Sequence, residues 1–265
     1  MKNFAICPLK SGSKGNAYLI TNGTANILLD CGISAKALCE ALSFFEISCP
    51  DISAAVITHE HSDHTKGIGA AARKYGFPVY ATKGTWRAMW KHVAPIADKY
   101  IKIISSEDKF FIGDIEVAPF PLSHDAADPV GYSFSFGGKK ISVATDTGYI
   151  SDKIFSACSG SGIAVIEANH DENMLLMGKY PPVLKQRIKS DIGHLSNEAA
   201  GEFAAELIKG GTKTVILGHL SEENNYPDLA LLTVKNIIEE SGLKGENSAG
   251  IFAAKKDGGG EKFII

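Results

Sequence analysis

The sequence lacks the features that mark several specialised classes of protein. Its net charge is only −3, which argues against a general polycation but leaves room for a local basic patch that binds phosphate. No stretch approaches the ~20 consecutive apolar residues of a membrane helix. Residues 1–10 have neither the apolar core nor the cleavage-site pattern of a signal peptide. We therefore expect a cytoplasmic protein with no membrane partner.

Cysteines are also scarce. Their number is odd and no two are spaced as a CxxC pair: Cys7, Cys31, Cys39, Cys49 and Cys158. This pattern favours reduced thiols in a cytosolic protein over a disulfide framework.

The rest of the composition is that of an ordinary globular protein. With 265 residues, of which 45% are hydrophobic and 22% charged, the chain is long enough for one large α/β domain with its own core. Apolar runs and turn signals predict strands at residues 4–9, 17–21, 26–30, 54–58, 77–81, 109–112, 115–120, 131–136, 139–145, 163–167 and 214–218, and near Ile251 and Phe263. Helical periodicity predicts helices at residues 34–45, 67–75, 151–158, 182–189, 196–209 and 228–240.

The order of these elements predicts the architecture. Strands, αβ units, antiparallel strands and further αβ units follow one another, so two halves of similar construction are expected. Such halves predict two packed sheets with helices outside, a four-layer αββα sandwich of the α/β class. No repeat, low-complexity tract or linker interrupts residues 1–265, which favours a single domain.

A run of metal-competent side chains follows the predicted strand at residues 54–58. The run is His59-Glu-His-Ser-Asp-His64. Residues two apart point the same way in extended chain, so His59 and His61 can reach one ion. A turn after His61 would direct Asp63 and His64 to a second ion.

Three later candidates stand where predicted strands end. His124 follows residues 115–120, Asp146 follows residues 139–145, and His219 follows residues 214–218. We infer that one ion is held by His59, His61 and His124, the other by Asp63, His64 and His219, with Asp146 between them. The alternative is that all seven are solvated loop residues without a metal-binding role, but their number and order favour the metal interpretation.

These residues carry a resemblance to a known family. Thr58-His-Glu-His-Ser-Asp-His64 resembles the signature of the metallo-β-lactamase superfamily, and the resemblance extends over nearly the whole chain. It implies the same αββα fold. Asp30 matches the family's first motif, where the residue usually orients ligand histidines rather than binding metal. The alternative for Asp30 is a simple turn residue.

Further segments resemble one branch of that superfamily. Asp146 replaces the cysteine of several true β-lactamase subclasses, and the Gly131-Tyr132 strand after His124 resembles the phosphodiesterase and nuclease members. Residues 11–16, 167–171, 180–188, 193–197 and 218–225 resemble the WalJ (YycJ) subgroup, whose members are associated with 5′-to-3′ exonuclease activity on double-stranded DNA. The resemblance implies a DNA phosphodiesterase, whereas the ligand spacing alone indicates only a hydrolase. At 265 residues the chain is too short to hold the inserted β-CASP domain of larger RNA nucleases.

Two divalent cations suit phosphodiester chemistry. Ions about 3.5–4 Å apart can hold a bridging hydroxide that attacks the scissile phosphate, and they neutralise charge on its oxygens. An imidazole and carboxylate site fits zinc, manganese or iron. The predicted catalytic residues are Asp63, which is also a ligand, and His194, which precedes a helix start and would contact the phosphate or protonate the leaving oxygen. A structural role for His194 is the alternative.

Substrate contacts are predicted in two further places. The polar loop at residues 11–16 could offer Ser11, Ser13 and Asn16 to a phosphate, although a plain hairpin loop is the alternative. Glu167, Asn169 and His170 stand at or just after a strand end and would line the same cleft. A basic strip on the helix at residues 182–189 is either a DNA-backbone contact or a solvated face: Lys185, Arg187 and Lys189.

Other functions stay open at this point. A small-molecule phosphodiesterase, or a thioester or lactone hydrolase of the same fold, is the main enzymatic rival. A non-catalytic scaffold that has lost its metals would show gaps among the seven ligands, and the sequence has none. Trp86 and Trp90, four residues apart on a predicted helix, favour core packing over base stacking.

Overall fold

The computed structural model describes residues 3–243, 249–257 and 259–265. Its strands form two mixed sheets flanked by helices. The chain divides into two units: unit 1 comprises Met1–Pro121, Ala126–Lys139 and Lys255–Ile265, and unit 2 comprises Leu122–Asp125 and Lys140–Ala254. The single-domain organisation stays a prediction.

Unit 1 contains the first nine strands and the last one. They are β1 (Ala5–Lys10), β2 (Ala17–Thr21), β3 (Asn26–Leu29), β4 (Ala54–Val56), β5 (Val79–Thr82), β6 (Ile101–Ile104), β7 (Phe110–Ile112), β8 (Ile115–Pro121), β9 (Val130–Phe136) and β14 (Phe263–Ile264). Its helices are α1 (Ala35–Ser43), α2 (Ser62–Thr65), α3 (Ile68–Tyr75) and α4 (Lys83–Val93).

One sheet lies wholly in unit 1, in the order β14-β1-β2-β3-β4-β5-β6. Pairing is antiparallel from β14 to β3 and parallel from β3 to β6. Strands β7 to β9 form an antiparallel meander. Leu38 and Leu42 of α1, Ile68 of α3 and Trp86 and Met89 of α4 pack into a core with the side chains of the first sheet.

Unit 2 is built on parallel strands. These are β10 (Lys139–Ala144, whose first residue belongs to unit 1), β11 (Ile163–Glu167), β12 (Thr214–Gly218) and β13 (Gly250–Ala253). The helices of unit 2 are α5 (Asp152–Cys158), α6 (Glu172–Met177), α7 (Pro182–Ile188), α8 (Asn197–Lys209) and α9 (Pro227–Glu240). Neighbouring strands are parallel throughout, and β11 is buried along its whole length. The carboxyl ends of β10, β11 and β12 therefore lie side by side, which is where α/β sheets usually bind ligands.

Most predicted elements are confirmed to within a few residues. The predicted cap Ser196 accepts a hydrogen bond from the backbone N–H of Ala199, and Ser34 caps α1 in the same way. Strand β6 and the short helices α2 and α6 were not predicted. Among the described residues no helix combines the length and the apolarity that crossing a membrane requires.

The prediction that all cysteines are reduced thiols is wrong for one pair. Cys39 and Cys49 form a disulfide with their Cα atoms 5.5 Å apart. The odd cysteine count concealed it, because the chain after α1 turns back and brings Cys49 against that helix. Cys7, Cys31 and Cys158 are free and buried.

Candidate metal centre

The donor cluster of unit 1 begins at Asp30, directly after β3. The backbone of Asp30 has φ 57°, a left-handed conformation that a non-glycine residue seldom adopts. Its carboxylate accepts hydrogen bonds from the N–H of Thr58 at 2.8 Å, from the Thr58 hydroxyl at 2.9 Å and from Nδ1 of His64 at 2.8 Å. Burial raises the pKa of this carboxyl, against the lowering effect of His64 and Thr58.

The bond to Asp30 fixes the orientation of the His64 ring. With its Nδ1 proton donated to Asp30, His64 carries its lone pair on Nε2. The Nδ2 amide of Asn16 lies 3.0 Å from that atom and 3.2 Å from Oδ2 of Asp63. A carboxylate that orients a histidine in this way is typical of metal sites. This position of Asp30 supports the orienting role expected from the resemblance.

His59 and His61 follow β4. The Thr58 hydroxyl donates to Asp30 and therefore accepts from Nδ1 of His59 at 2.9 Å, which leaves Nε2 of His59 as the ligand atom. The His59 ring is buried, with its centroid 4.6 Å from that of His61 and 4.2 Å from that of His64. The predicted turn after His61 is present as helix α2, with Asp63 and His64 inside it.

Backbone contacts hold this run against the end of β3. The N–H of Asn16 donates to the carbonyl of Asp63 at 2.7 Å, and the N–H of Cys31 donates to the carbonyl of His64 at 2.7 Å. A Cβ atom at Gly32 would lie 1.5 Å from the carbonyl oxygen of Asp63. Only glycine allows so close an approach of the two chain segments.

The donor cluster of unit 2 stands at the carboxyl ends of three parallel strands. Asp146 follows β10, Glu167 ends β11 and His219 follows β12. With His194, they offer ligand atoms that all lie within 4.8 Å of one another. Asp146 and His219 both have positive φ, 63° and 54°. Of the four non-glycine residues with positive φ in the described part of the chain, three are therefore candidate site residues, and such strain concentrates at functional sites.

Glu167 is the residue that links the histidines of unit 2. Its Oε1 accepts from Nδ1 of His194 and from Nδ1 of His219, each at 2.7 Å, and its Oε2 accepts from the backbone N–H of Thr147 and of Leu195. Although burial alone would raise it, the two imidazole rings hold the pKa of the Glu167 carboxyl well below its usual range. Both rings consequently present Nε2 away from Glu167.

The sequence interpretation gave Glu167 no role beyond lining the cleft. Its strand-end position, on the strand between those that lead to Asp146 and His219, is the signal that could have identified it.

His124 shows the same arrangement of its ring nitrogens. Its Nδ1 donates to the carbonyl of Gly193 at 3.1 Å, and its Nε2 lies 3.4 Å from Oδ1 of Asp125 and 3.9 Å from Oδ1 of Asp146. The His124 and His194 ring centroids are 5.0 Å apart. Imidazole Nε2 atoms and carboxylates together form a donor set that fits zinc, manganese or iron.

The predicted substrate contacts have different surroundings. Ser11 is buried with its hydroxyl 2.8 Å from that of Tyr18, whereas Ser13 is exposed. Asn169 is buried and donates to the carbonyl of His219 at 2.9 Å. His170 is 2% exposed. Burial lowers the pKa of His170 to about 4. Their contact with substrate stays a prediction.

The basic residues of α7 make contacts within unit 2. Arg187 pairs with Asp125, Lys185 donates to the carbonyl of Leu176 at 2.6 Å, and Nζ of Lys189 lies 3.8 Å from Glu172. These contacts favour a structural use of the strip over a free DNA-binding face.

The tryptophan prediction is right for one residue of the pair. Trp86 is buried in the core and donates from its indole N–H to the carbonyl of Lys102 at 3.1 Å. Trp90 is 42% exposed, because its side of α4 faces solvent.

Comparison with known proteins places this geometry in a family. The family model of the beta-lactamase superfamily domain matches residues 25–220. The chain is similar, at 43% identity over 89% of both chains, to Exodeoxyribonuclease YycJ of Bacillus anthracis. It is 40% identical to Exodeoxyribonuclease WalJ of Streptococcus pneumoniae serotype 2, over 91% of this chain and 90% of the relative.

A solved structure has the same fold. The metallo-beta-lactamase fold protein YhfI from Bacillus subtilis superposes with a TM-score of 0.74 over 99% of this chain and all of that one, at 17% identity. The chain belongs to the metallo-β-lactamase superfamily, and within it to the group of its YycJ and WalJ relatives. The predicted fold class is thereby confirmed.

Proposed function

We propose that the chain is a two-metal phosphodiesterase that acts as a 5′-to-3′ exonuclease on double-stranded DNA in the cytoplasm. The observation that carries the proposal is its similarity, over about nine tenths of both chains, to relatives named exodeoxyribonuclease. The clusters around Asp30 and Glu167 support it, because they supply the donor types that the reaction needs.

The proposed ligand set is the one inferred from the sequence. One ion would be held by His59, His61 and His124 and the other by Asp63, His64 and His219, with Asp146 available to both. Bound there, two divalent ions would activate a water molecule and neutralise charge on the phosphate oxygens. Their identity among zinc, manganese and iron is left to experiment.

The protein's own side chains would orient the ligand histidines and supply a proton to the leaving oxygen. Asp30 holds His64 with Nε2 outward, and Glu167 does the same for His219 and His194. Because His194 donates its Nδ1 proton to the Glu167 carboxylate, Nε2 is the ring atom that would carry a second proton as a general acid. We assign His194 the delivery of that proton to the leaving oxygen. Asp63 would hold one ion and thereby take part in catalysis at the phosphate.

The remaining predicted contacts would bind the DNA strand. Ser11, Ser13 and Asn16 lie on the loop that packs beside Asp63, and the Asn16 amide is within hydrogen-bond distance of that carboxylate. Asn169 and His170 follow Glu167 in the chain. We propose these five residues as substrate contacts, acting through side chains or through the shape of the loops that carry them.

The test is a nuclease assay on end-labelled duplex DNA with Mn²⁺, Zn²⁺ or EDTA. A 5′-to-3′ exonuclease releases a 5′ label as mononucleotide at once, whereas a 3′ label stays on progressively shorter strands. Asp63→Ala is expected to abolish cleavage in every metal. Cleavage that persists in EDTA, or a metal-loaded protein inactive on duplex, nicked and single-stranded DNA, would contradict the proposal. In the latter case a small phosphodiester is the substrate to try next.

A further inference from the structure

A groove with a basic lining lies in unit 1 beside the histidine run. It is a cavity of about 800 Å³ between helices α2 and α4, and we name it the α2–α4 groove. Its lining includes His61, Ser62, Lys66, Ala88, Lys91 and His92. His61 belongs both to this lining and to the proposed ligand set, so one end of the groove reaches the place where the phosphodiester would be cleaved.

Two lysines give the groove its charge. Lys66 follows α2 and Lys91 lies in the last turn of α4, and both are exposed. Among the described residues neither ammonium group is held in an ion pair or a side-chain hydrogen bond. Other lysines of the protein are used internally, as Lys185 is by the carbonyl of Leu176 and Lys140 by the carbonyl of Ala157. The two groove lysines are therefore free to bind an external anion.

The single carboxylate in the lining of this groove is Glu60. Its Oε1 accepts from the backbone N–H of Ala127 at 2.8 Å, and among the described residues it forms no ion pair with either lysine. The exposed hydroxyl of Ser62 adds a neutral donor, and Ala88 contributes only a small apolar side chain to the lining. Two lysines, two histidines and the Ser62 hydroxyl against one carboxylate make a lining suited to phosphate.

We propose that the α2–α4 groove binds phosphates of the DNA strand next to the scissile bond, through Lys66 and Lys91. This inference rests on the proposed function, because it extends the same site along the substrate. Phosphate contacts by lysine supply affinity and fix the register of a nucleic acid without reading its sequence. An exonuclease that degrades any sequence needs a contact of this kind.

The test compares binding rather than cleavage. Three double variants are compared with the original protein. Lys66→Ala/Lys91→Ala removes the two positive charges of the groove, and Lys66→Arg/Lys91→Arg keeps them. The control Lys213→Ala/Lys235→Ala also removes two positive charges, but from exposed residues of unit 2. Anisotropy of a labelled duplex is measured in EDTA over a series of salt concentrations. Removing both groove lysines should weaken binding roughly 10–100-fold at low salt and lower the salt slope by about 2. The arginine and control variants should bind like the original protein.

Two further measurements distinguish a terminal phosphate from backbone phosphates as the ligand, and failure of the groove proposal from failure of the proposed function. A loss confined to 5′-phosphorylated duplexes assigns the groove to the terminal phosphate, and an equal loss on 5′-hydroxyl duplexes assigns it to backbone phosphates. Hydrolysis of a p-nitrophenyl phosphodiester should not change in the double alanine variant. If the unmodified protein hydrolyses no phosphodiester, the proposed function fails while the binding data still decide on the groove. Unchanged affinity and slope in Lys66→Ala/Lys91→Ala would overturn the groove assignment.

Discussion

Oε1 of Glu167 and Nδ1 of His194 are 2.7 Å apart, and the same oxygen is also 2.7 Å from Nδ1 of His219. One buried carboxylate atom thus orients a proposed metal ligand and a proposed proton donor together. The two histidines come from different segments, one before α8 and one after β12, and their ring centroids are 5.3 Å apart. Glu167 therefore couples the position of the proposed metal ligand His219 to that of the proposed acid His194.

His194→Ala should affect substrates according to their leaving group. DNA cleavage should fall roughly 10²–10⁴-fold, because the leaving sugar oxygen needs a proton. Hydrolysis of a p-nitrophenyl phosphodiester, whose leaving group needs none, should fall less than about ten-fold. Steady-state rates on both substrates measure this, with His219→Ala as the control that loses both activities. Equal loss on the two substrates in His194→Ala would contradict the assignment of His194 as the acid.

Glu167→Gln should weaken metal binding although glutamine has the same shape. Glutamine has one acceptor oxygen, so its amide nitrogen must face either the two imidazole N–H groups or the backbone N–H groups of Thr147 and Leu195, and it can accept from neither pair. In either orientation the contacts that hold the rings of His194 and His219 with Nε2 outward are disturbed, and the negative charge is lost. We expect metal affinity to fall roughly 10–100-fold, as is usual when the partner of a ligand histidine is lost. Competition with a chromophoric chelator measures the affinity. If Glu167→Gln binds metal as tightly as the original protein, Glu167 does not orient the ligand.

Much of this site could be predicted from the sequence because its residues stand at element ends. His59 lies three residues after the end of β4, Asp146 two residues after the end of β10, and His219 directly after β12. Strand ends can be identified from local patterns of apolar residues. The role of Glu167 in orienting histidines was missed because local patterns do not reveal it. That role depends on two histidines that are 27 and 52 residues further along the chain.

Other errors have the same origin in long-range geometry. The disulfide between Cys39 and Cys49 depends on how the segment after α1 folds back, which no spacing rule encodes. Trp90 shares its helix with Trp86, and four residues place both near one face, yet the edge of the core lies between them. The short helix α2 was missed for a different, local reason: its four residues are too few to produce a periodic signal.

Asp30 should tolerate asparagine better than alanine. Asp30→Ala removes three hydrogen bonds from Thr58 and His64 and places alanine at φ 57°, where asparagine is accepted more readily. We expect the free energy of unfolding to fall by about 3 kcal/mol in Asp30→Ala and by about half of that in Asp30→Asn. Urea unfolding in EDTA measures both, free of metal effects. An alanine variant as stable as the asparagine variant would show that the hydrogen bonds and the backbone conformation matter little.

His170 should make the protein sensitive to acid in a defined range. Burial lowers the pKa of its ring from 6.5 to about 4. Between these values the unfolded chain binds a proton that the folded protein does not bind. The free energy of unfolding therefore falls as the pH falls through this window, by about 3 kcal/mol in all from this group. His170→Gln cannot take up the proton and should lose less stability between pH 6.5 and 4 than the original protein. Urea unfolding of both proteins at a series of pH values, with chelator present so that the ligand histidines titrate alike in each, isolates the difference. Parallel stability curves for the two proteins would mean that His170 is protonated as easily in the folded state as in the unfolded chain.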